Sequence, residues 1–374
     1  MPQSFITQAN TAARFSTLTA RVLWPAALAG AMVLAHPSAM AQSGTSTTVS
    51  RCESSFSEQS LSATVDTCRN ELTVPITRQR RLSVLETLGK AYLAQNEPRL
   101  ALNTWNEAAQ YITPGKADPV GSEQWARLQV LMAQTLVQLE QPKEAQNLLD
   151  STIRRIERDN GRFSMPAGVL QDALGTFYAL QNQPEKALAA FQRSRIIHEI
   201  RLGRVHPRTI ETRMNQAVGL LDMNKEADAK AGFLALAEIV GTTDNLKRES
   251  VSAEVLTFLG TLQMRDDELK NAAVNYQTAF EIRQAVFGPN DIRTSQSLNN
   301  LGVVLYRAGD LQRAEKALSR AYVIRKDALG DKDSLTLSTQ KNLQAVIAAQ
   351  QSSKIPDNPA STLPKTIQKS TPNR

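Results

Sequence analysis

Aromatic side chains are scarce in this chain: phenylalanine, tyrosine and tryptophan make up 5% of its 374 residues. No stretch alternates apolar and polar residues in the way that a half-buried β-strand would. Both deficits argue against a β-rich protein and predict an all-helical fold. The length exceeds what one compact core usually organises, so we expect either two or three domains or a repeat array.

Motifs for catalysis or metal binding are also missing. The chain contains no Gly-x-Ser-x-Gly, no glycine-rich phosphate loop, no His-Glu-x-x-His and no pair of Cys-x-x-Cys sequences. His198 lies near the end of a predicted helix, where packing or exposure is commoner than a catalytic role, and His206 fits a turn. We therefore expect a protein that is not an enzyme and that has no cofactor and no metal site.

The first 41 residues lack Asp and Glu altogether. Arg14 and Arg21 precede an apolar run over 22–35, and small residues follow up to Ala41, which is the order of a secretory signal. The run is broken by Pro25 and is shorter than the roughly 20 residues that span a bilayer. A mitochondrial presequence is the alternative, although presequences are amphipathic. We expect cleavage after Ala41 and a periplasmic or secreted protein.

Only two cysteines occur, Cys52 and Cys68. In an oxidising compartment they have no competitor, so we expect a disulfide, which stabilises by about 3 kcal/mol in the chain-entropy model. In a reducing cytosol the same pair would be two buried thiols. The pair falls in residues 42–80, which we interpret as an N-terminal capping segment.

Basic residues are in excess, but they are not clustered. The formal net charge is +7, and removing residues 1–41 lowers it to +5. The tail from 351 to 374 holds +3 of that excess and is rich in Ser, Pro, Thr and Lys, so we expect it to be disordered. Nucleic-acid binders concentrate Lys and Arg on one face or helix. We therefore expect no nucleic-acid partner.

A small residue recurs every 42 to 44 positions, at Ala101, Ala145, Ala187, Ala229, Ala272 and Ala314. Thirteen residues earlier stands a pair that is mostly a large apolar residue followed by Gly or Ala, such as Leu88-Gly89. Four residues later stands an aromatic residue or leucine, such as Trp105. These spacings place the residues on one helix face. They predict six tandem hairpins, each with a first helix A and a second helix B.

The pattern resembles the tetratricopeptide repeat, with Leu-Gly, an aromatic, Ala and a second aromatic. The usual period is 34, so a period near 42 resembles the longer subtype found in kinesin light chains. That subtype joins hairpins with Gly-x-x-His-Pro-x-Thr, which 203–209 matches and 288–294 and 330–336 approach. The Gly is typical of a helix C-cap and the Thr of an N-cap.

The resemblance covers residues 81–350 and implies a right-handed α-solenoid. Gln216 and Gln263 depart from its pattern, so we expect a bend or irregular stacking near 210–265. After the sixth hairpin, 338–350 reads as a lone capping helix, with Leu343 in register.

In the family, helix A lines a concave groove, so the resemblance implies where a partner would bind. The groove residues that we predict as a peptide-binding site are Arg127, Glu211, Arg265, Asn299, Tyr306, Arg307 and Lys341. The same register also places Asp172, Met214 and Asp222 in the groove.

The site implies a non-catalytic scaffold that binds an extended, acidic segment of another envelope protein. Two alternatives stay open. One is an assembly subunit of an envelope complex that packs through its repeat faces. The other is a polysaccharide or peptidoglycan handler that positions an enzyme on another chain. We expect a monomer if the groove binds a peptide, and no membrane span in the mature chain.

Overall fold

A computed structural model describes residues 51–58, 61–115 and 117–354, which form α-helices joined by short turns. In that part of the chain the helices are α1 Arg51–Glu58, α2 Leu61–Leu72, α3 Arg78–Ala94, α4 Pro98–Gln110, α5 Pro119–Gln138, α6 Pro142–Asn160, α7 Met165–Leu180, α8 Pro184–Leu202, α9 Pro207–Asp222, α10 Glu226–Thr242, α11 Ser250–Arg265, α12 Leu269–Phe287, α13 Ile292–Arg307, α14 Leu311–Leu329 and α15 Ser334–Lys354. The predicted all-α solenoid class is confirmed. The predicted signal segment 1–41 lies outside the described residues.

The chain divides into two compact units between Thr243 and Asp244. The first unit holds α1 and α2 and four hairpins that start at α3, α5, α7 and α9. The second holds a 3₁₀ turn over Asp244–Arg248, two hairpins that start at α11 and α13, and α15. The boundary falls inside the segment 210–265, where the repeat pattern weakens.

Close contact between the two helices of a hairpin explains the Leu-Gly and aromatic positions. The six repeated alanines are all fully buried. A Cβ atom added at Gly175 would lie 2.5 Å from the ring of Phe191, and one at Gly89 would lie 2.2 Å from Nε1 of Trp105. Helix A therefore needs glycine where a large ring of helix B lies against it.

The turn inside each hairpin uses a left-handed residue. Asn96, Asn182 and Asn224 have φ of 63°, 54° and 56°, and Gly309 takes φ of 82° at the equivalent position. Asparagine and glycine adopt this conformation at little cost. In three hairpins helix B then begins with proline, at Pro98, Pro142 and Pro184. Proline has no backbone N–H, and at the first position of a helix that group would have no partner inside the helix.

The connectors between hairpins confirm one predicted cap and correct the other. Gly203, Gly288 and Gly330 end their helices with φ between 86° and 93°. The threonines are not N-caps: Thr209 donates from Oγ1 to the Gly203 carbonyl at 2.8 Å. The cap is His206, whose Nδ1 accepts from the Arg208 N–H at 3.2 Å. The threonine lies one turn inside the helix, so its hydroxyl closes the connector instead.

The N-terminal segment packs on the first hairpin as a disulfide-bonded pair of helices. Cys52 and Cys68 are bonded, with Cα atoms 4.6 Å apart, and both are fully buried. Glu71 accepts from the Cys52 N–H at 3.0 Å and from Arg80 Nε at 2.6 Å. The predicted disulfide is confirmed. Helix α3 begins at Arg78, three residues before the predicted start of the array at residue 81.

Helix α15 closes the second unit as predicted, but it is longer than 338–350. Val346 is fully buried, and Leu343 packs against the cluster that contains Leu301 and Leu318. Residues 351–354 were assigned to a disordered tail, and that assignment is wrong, because they continue the helix. The rest of the tail, 355–374, lies outside the described residues.

Successive hairpins meet through one repeated position near the end of helix B and one near the start of the next helix A. In the first two junctions these positions hold buried apolar residues, Ile112 with Leu128 and Ile156 with Leu170. Three later junctions hold hydrogen-bonded polar pairs. They are His198 Nδ1 with Thr212 Oγ1 at 3.0 Å, Arg283 Nη1 with Ser297 Oγ at 2.7 Å, and Arg325 Nη1 with Thr339 Oγ1 at 2.7 Å.

Candidate interaction surface on the first helices of the hairpins

The candidate site is the helix-A surface, which we define in each unit as the solvent-facing side of the first helices. In the first unit these helices are α3, α5, α7 and α9, and in the second they are α11, α13 and α15. Arg127 and Glu211 fall in the first unit and the other five predicted residues in the second.

In the second unit, an amide pair links neighbouring helices at the centre of the predicted site. Asn342 of α15 donates from Nδ2 to Oδ1 of Asn299 on α13 at 3.1 Å, and both residues are half-buried. Lys341 stands beside Asn342 and is exposed. Tyr306, two turns after Asn299 on α13, is half-buried against the apolar cluster of the unit. Asn299 and Lys341 therefore lie on α13 and α15, the first helix of the last hairpin and the helix that follows that hairpin.

The arginine pair of the second unit lies at the C-terminal ends of α11 and α13. Arg307 donates from Nη1 to the Met264 carbonyl at 2.8 Å and from Nη2 to Asp267 at 3.0 Å. Arg265 follows Met264 directly and is exposed. Arg307 thus fastens the end of α11 to α13, and this internal role was not predicted.

In the first unit, one carboxylate is shared by two arginines on alternate hairpins. Glu123 of α5 accepts from Arg127 at 2.6 Å and from Arg208 of α9 at 2.7 Å. Burial by itself raises the pKa of Glu123, but the hydrogen bond and charge of Arg208, together with Arg127, hold it below the usual value. Glu211 lies one turn after Arg208 on α9 and is half-buried. The first-unit surface is therefore a mixed-charge network that spans three hairpins.

A second carboxyl group, that of Asp172, lies on α7 near α9. Burial raises the pKa of Asp172 to about 6, and hydrogen bonds from Thr212 and Asn215 oppose that rise. Burial likewise raises the pKa of Asp222 to about 6.

The predicted placement of Met214 in the groove was wrong. Its side chain is 2% exposed, because the residue turns into the core of the hairpin.

Sequence reasoning missed three residues of this surface: Glu123, Arg208 and Asn342. Arg208 follows His206-Pro207, so we read it as part of a connector and not as a side chain that reaches α5. Asn342 had a usable signal, because it stands 42 residues after Asn300 in the repeat register. Glu123 lies at a position that no other repeat fills with an acid, and only the fold pairs it with Arg208.

His198 is a packing residue in the first unit. Burial, followed by the charges of Arg208 and His206, lowers its pKa to about 4. Among the described residues no group of three His, Cys, Asp or Glu side chains is placed to hold a metal ion. No helix in that part of the chain is long and apolar enough to cross a membrane.

Two family models for the tetratricopeptide repeat match the sequence, one over residues 170–208 and one over 251–327. The matches fall on hairpins of both units and agree with the helix pairing and glycine contacts described above. Both matched segments of the chain are therefore tetratricopeptide repeats. A comparison with curated proteins finds no match. Proteins of this family bind other proteins, so the chain is a protein–protein interaction scaffold.

Of three similar solved structures, the first two share the fold at low sequence identity. BtubC (BKLC) from P. vanneervenii is 19% identical, with 68% of this chain and 94% of that chain covered and a TM-score of 0.51. A signal transduction ATPase with a tetratricopeptide repeat sensor from Pyrococcus horikoshii is 12% identical, with a TM-score of 0.56. The match covers 78% of this chain and 41% of that one. A putative kinesin light chain from Podosopora anserina is 16% identical, with coverages of 56% and 97% and a TM-score of 0.47.

Proposed function

We propose that this tetratricopeptide-repeat protein is a non-catalytic scaffold that binds an extended, acidic segment of a partner protein on the helix-A surface of its second unit. The observation that carries the proposal is the Asn299–Asn342 amide pair beside exposed Lys341. Side-chain amides present both a donor and an acceptor, which suits the backbone of an extended peptide. The lysine supplies a charge for an acidic side chain of the partner.

Neighbouring residues support the same location. Tyr306 offers a half-buried ring on the helix that carries Asn299, and Arg265 is exposed on α11. Tyrosine and arginine are enriched among residues that dominate binding energy. The surface therefore combines an aromatic anchor, amides and positive charge on three successive helices.

A photoreactive residue tests the location. In cells, p-benzoylphenylalanine at position 306 should crosslink a partner, because Tyr306 lies on the proposed binding surface. The matched control is position 322, where Tyr322 is also half-buried but lies on helix B of the last hairpin. Equal crosslinking at both positions, or crosslinking at 322 alone, would contradict the proposal.

Charge reversal tests the chemistry of the partner. Lys341→Glu should weaken capture of the crosslinked partner about tenfold or more, because an acidic segment would then meet a like charge. Lys316→Glu is the control, since Lys316 is exposed on α14, which is helix B of the last hairpin. Arg307 is a poor choice for this test, because its replacement would also remove its bonds to Met264 and Asp267.

We further propose that the chain is exported and cleaved near Ala41, so that the scaffold works in the periplasm or in the secreted space. The Cys52–Cys68 disulfide supports this proposal, because such bonds persist in oxidising compartments. N-terminal sequencing of protein recovered after cell fractionation tests it. Recovery of the protein from the cytosol with residues 1–41 still attached would overturn the proposal.

A further inference from the structure

The connectors between hairpins in the first unit form one edge. Asn160, at the end of α6, donates from Nδ2 to the Gly115 carbonyl at 3.2 Å, and Arg201, in the last turn of α8, donates to the Phe163 carbonyl at 2.6 Å. Each helix B therefore ends beside the connector that begins its own hairpin, and then runs into the next connector. The segments before α3, α5, α7 and α9 consequently lie side by side. We name this row the connector edge.

Exposed apolar side chains lie in the segments before α3, α7 and α9 and in the first turn of α5. Val74 is 50% exposed, Val120 73%, Phe163 55% and Val205 52%. A hydrophobic residue just before a helix N-cap often packs against the fourth residue of that helix. For Phe163 that residue is Gly168, which offers no side chain. Local packing therefore does not explain the exposed ring.

Arginines accompany two of these apolar residues in a repeated pattern. Gly161-Arg162-Phe163 and Gly203-Arg204-Val205 stand 42 residues apart, and their glycines have φ of 93° and 86°. Arg162 and Arg204 are both exposed, and neither connector contains an acidic residue. The equivalent connectors of the second unit are Gly288-Pro-Asn-Asp and Gly330-Asp-Lys-Asp. The pairing of arginine with an apolar tip therefore belongs to the first unit.

We propose that the connector edge binds the surface of an anionic phospholipid bilayer. The apolar tips enter the interfacial region, and Arg162 and Arg204 bind lipid phosphates. Aromatic and aliphatic side chains flanked by basic residues are suited to that interface, and positive charge attracts anionic headgroups. This surface is distinct from the helix-A surface, so the scaffold holds its partner at a membrane without spanning it.

The form of the edge favours a bilayer over a protein as its occupant. Protein interfaces place their dominant residues in well-packed pockets. The connector edge instead presents single apolar side chains that are separated from one another along the chain. A groove of about 650 Å³ in the same unit lies elsewhere, lined by residues of α4, α5 and α6 that include Leu102, Met132 and Leu148. A fluid surface accepts separate tips without a shaped recess.

Vesicle cosedimentation with the processed protein, residues 42–374, tests the proposal, because residues 1–41 could bind vesicles by themselves. Binding is expected to vesicles of 30% phosphatidylglycerol in phosphatidylcholine and not to phosphatidylcholine alone, and it should weaken as salt rises from 50 to 500 mM. Arg162→Gln with Arg204→Gln should lower the partition coefficient at least tenfold. Phe163→Ser with Val205→Ser should lower it to a similar degree, because the apolar tips are removed.

The control pair is Val323→Ser with Lys316→Gln on α14, because Val323 is 54% exposed and Lys316 is also exposed. Every variant carries the same N-terminal segment, so the differences report the edge itself. Circular dichroism melts should coincide for all variants. Equal vesicle binding by the edge variants and the control pair overturns the proposal. So does retention on a polyglutamate resin by a protein that ignores anionic vesicles, since the occupant would then be an acidic protein.

Discussion

Arg325 donates from Nη1 to Oγ1 of Thr339 at 2.7 Å, across the junction between α14 and α15. Arg283 makes the equivalent bond to Ser297 one hairpin earlier. At the first two junctions the same positions hold the apolar residues Ile112 with Leu128 and Ile156 with Leu170. The repeat therefore accepts either an apolar pair or a hydrogen-bonded pair at this position. We expect a change of one partner alone to destabilise the junction, because it leaves a buried polar group without its partner.

We predict that Arg325→Leu destabilises the second unit by about 1–3 kcal/mol, because Thr339, Ser295 and the Leu335 carbonyl lose a donor in a buried place. Adding Thr339→Val should recover part of that loss. Urea unfolding of the two single variants and the double variant gives the coupling energy. Additive effects would contradict the paired role. Lys316→Leu on the exposed side of α14 is the control.

Gly175→Ala should destabilise the first unit by about 1–3 kcal/mol, because the added Cβ would lie 2.5 Å from the Phe191 ring. Gly219→Ala is the matched control: it lies inside α9, and an added Cβ there meets nothing within 4 Å. It should stabilise by about 0.5–1 kcal/mol, since alanine is the better helix former. Thermal unfolding distinguishes the two, and equal effects would refute the contact.

Cys52→Ser with Cys68→Ser should lower the unfolding free energy of the first unit by about 3 kcal/mol. The loss should appear as faster hydrogen exchange in α1 and α2, with the second unit unchanged. Addition of a reductant to the parent protein should reproduce the effect, while the serine variant should not respond to it. An unchanged exchange pattern would show that the bond does not hold the cap.

Stability should depend on pH through His198. Its pKa is about 4 in the folded protein and 6.5 when unfolded, so the unfolded state takes up the proton first and stability is lost as pH falls from 6.5 to 4. The shift corresponds to about 3 kcal/mol. Asp172 and Asp222 oppose this trend, because their raised pKa values favour the folded state at low pH.

The variant His198→Leu isolates the histidine, because it leaves both aspartates in place and keeps Thr212, whose hydrogen bond acts on the pKa of Asp172. Its unfolding free energy should fall less between pH 7 and pH 4.5 than that of the parent protein. Parallel pH curves for the two proteins would refute the assigned cause.

Most of the fold could be predicted from single positions that recur. The buried alanines, the glycines opposite aromatic rings and the capping helix depend on contacts inside one hairpin or with its neighbour, which the 42-residue register repeats. The N-cap at His206 was missed because its ring accepts the N–H that we had assigned to threonine. The partners of Glu123 could not be predicted, since Arg208 lies 85 residues away and reaches it past an intervening hairpin.

The sequence by itself determined the class of the protein, the hairpin length, the disulfide pair and the helices that carry the candidate site. Those properties follow from local spacing, because a helix face and a close helix crossing each demand particular residues at fixed intervals. Only the tertiary structure decided which of the predicted residues make contacts inside the protein. Arg307 is hydrogen-bonded to the Met264 carbonyl, and Met214 is buried. Phe163 and Val205 are exposed on the connector edge. Those outcomes depend on how neighbouring hairpins stack, and side-chain exposure is set by that packing.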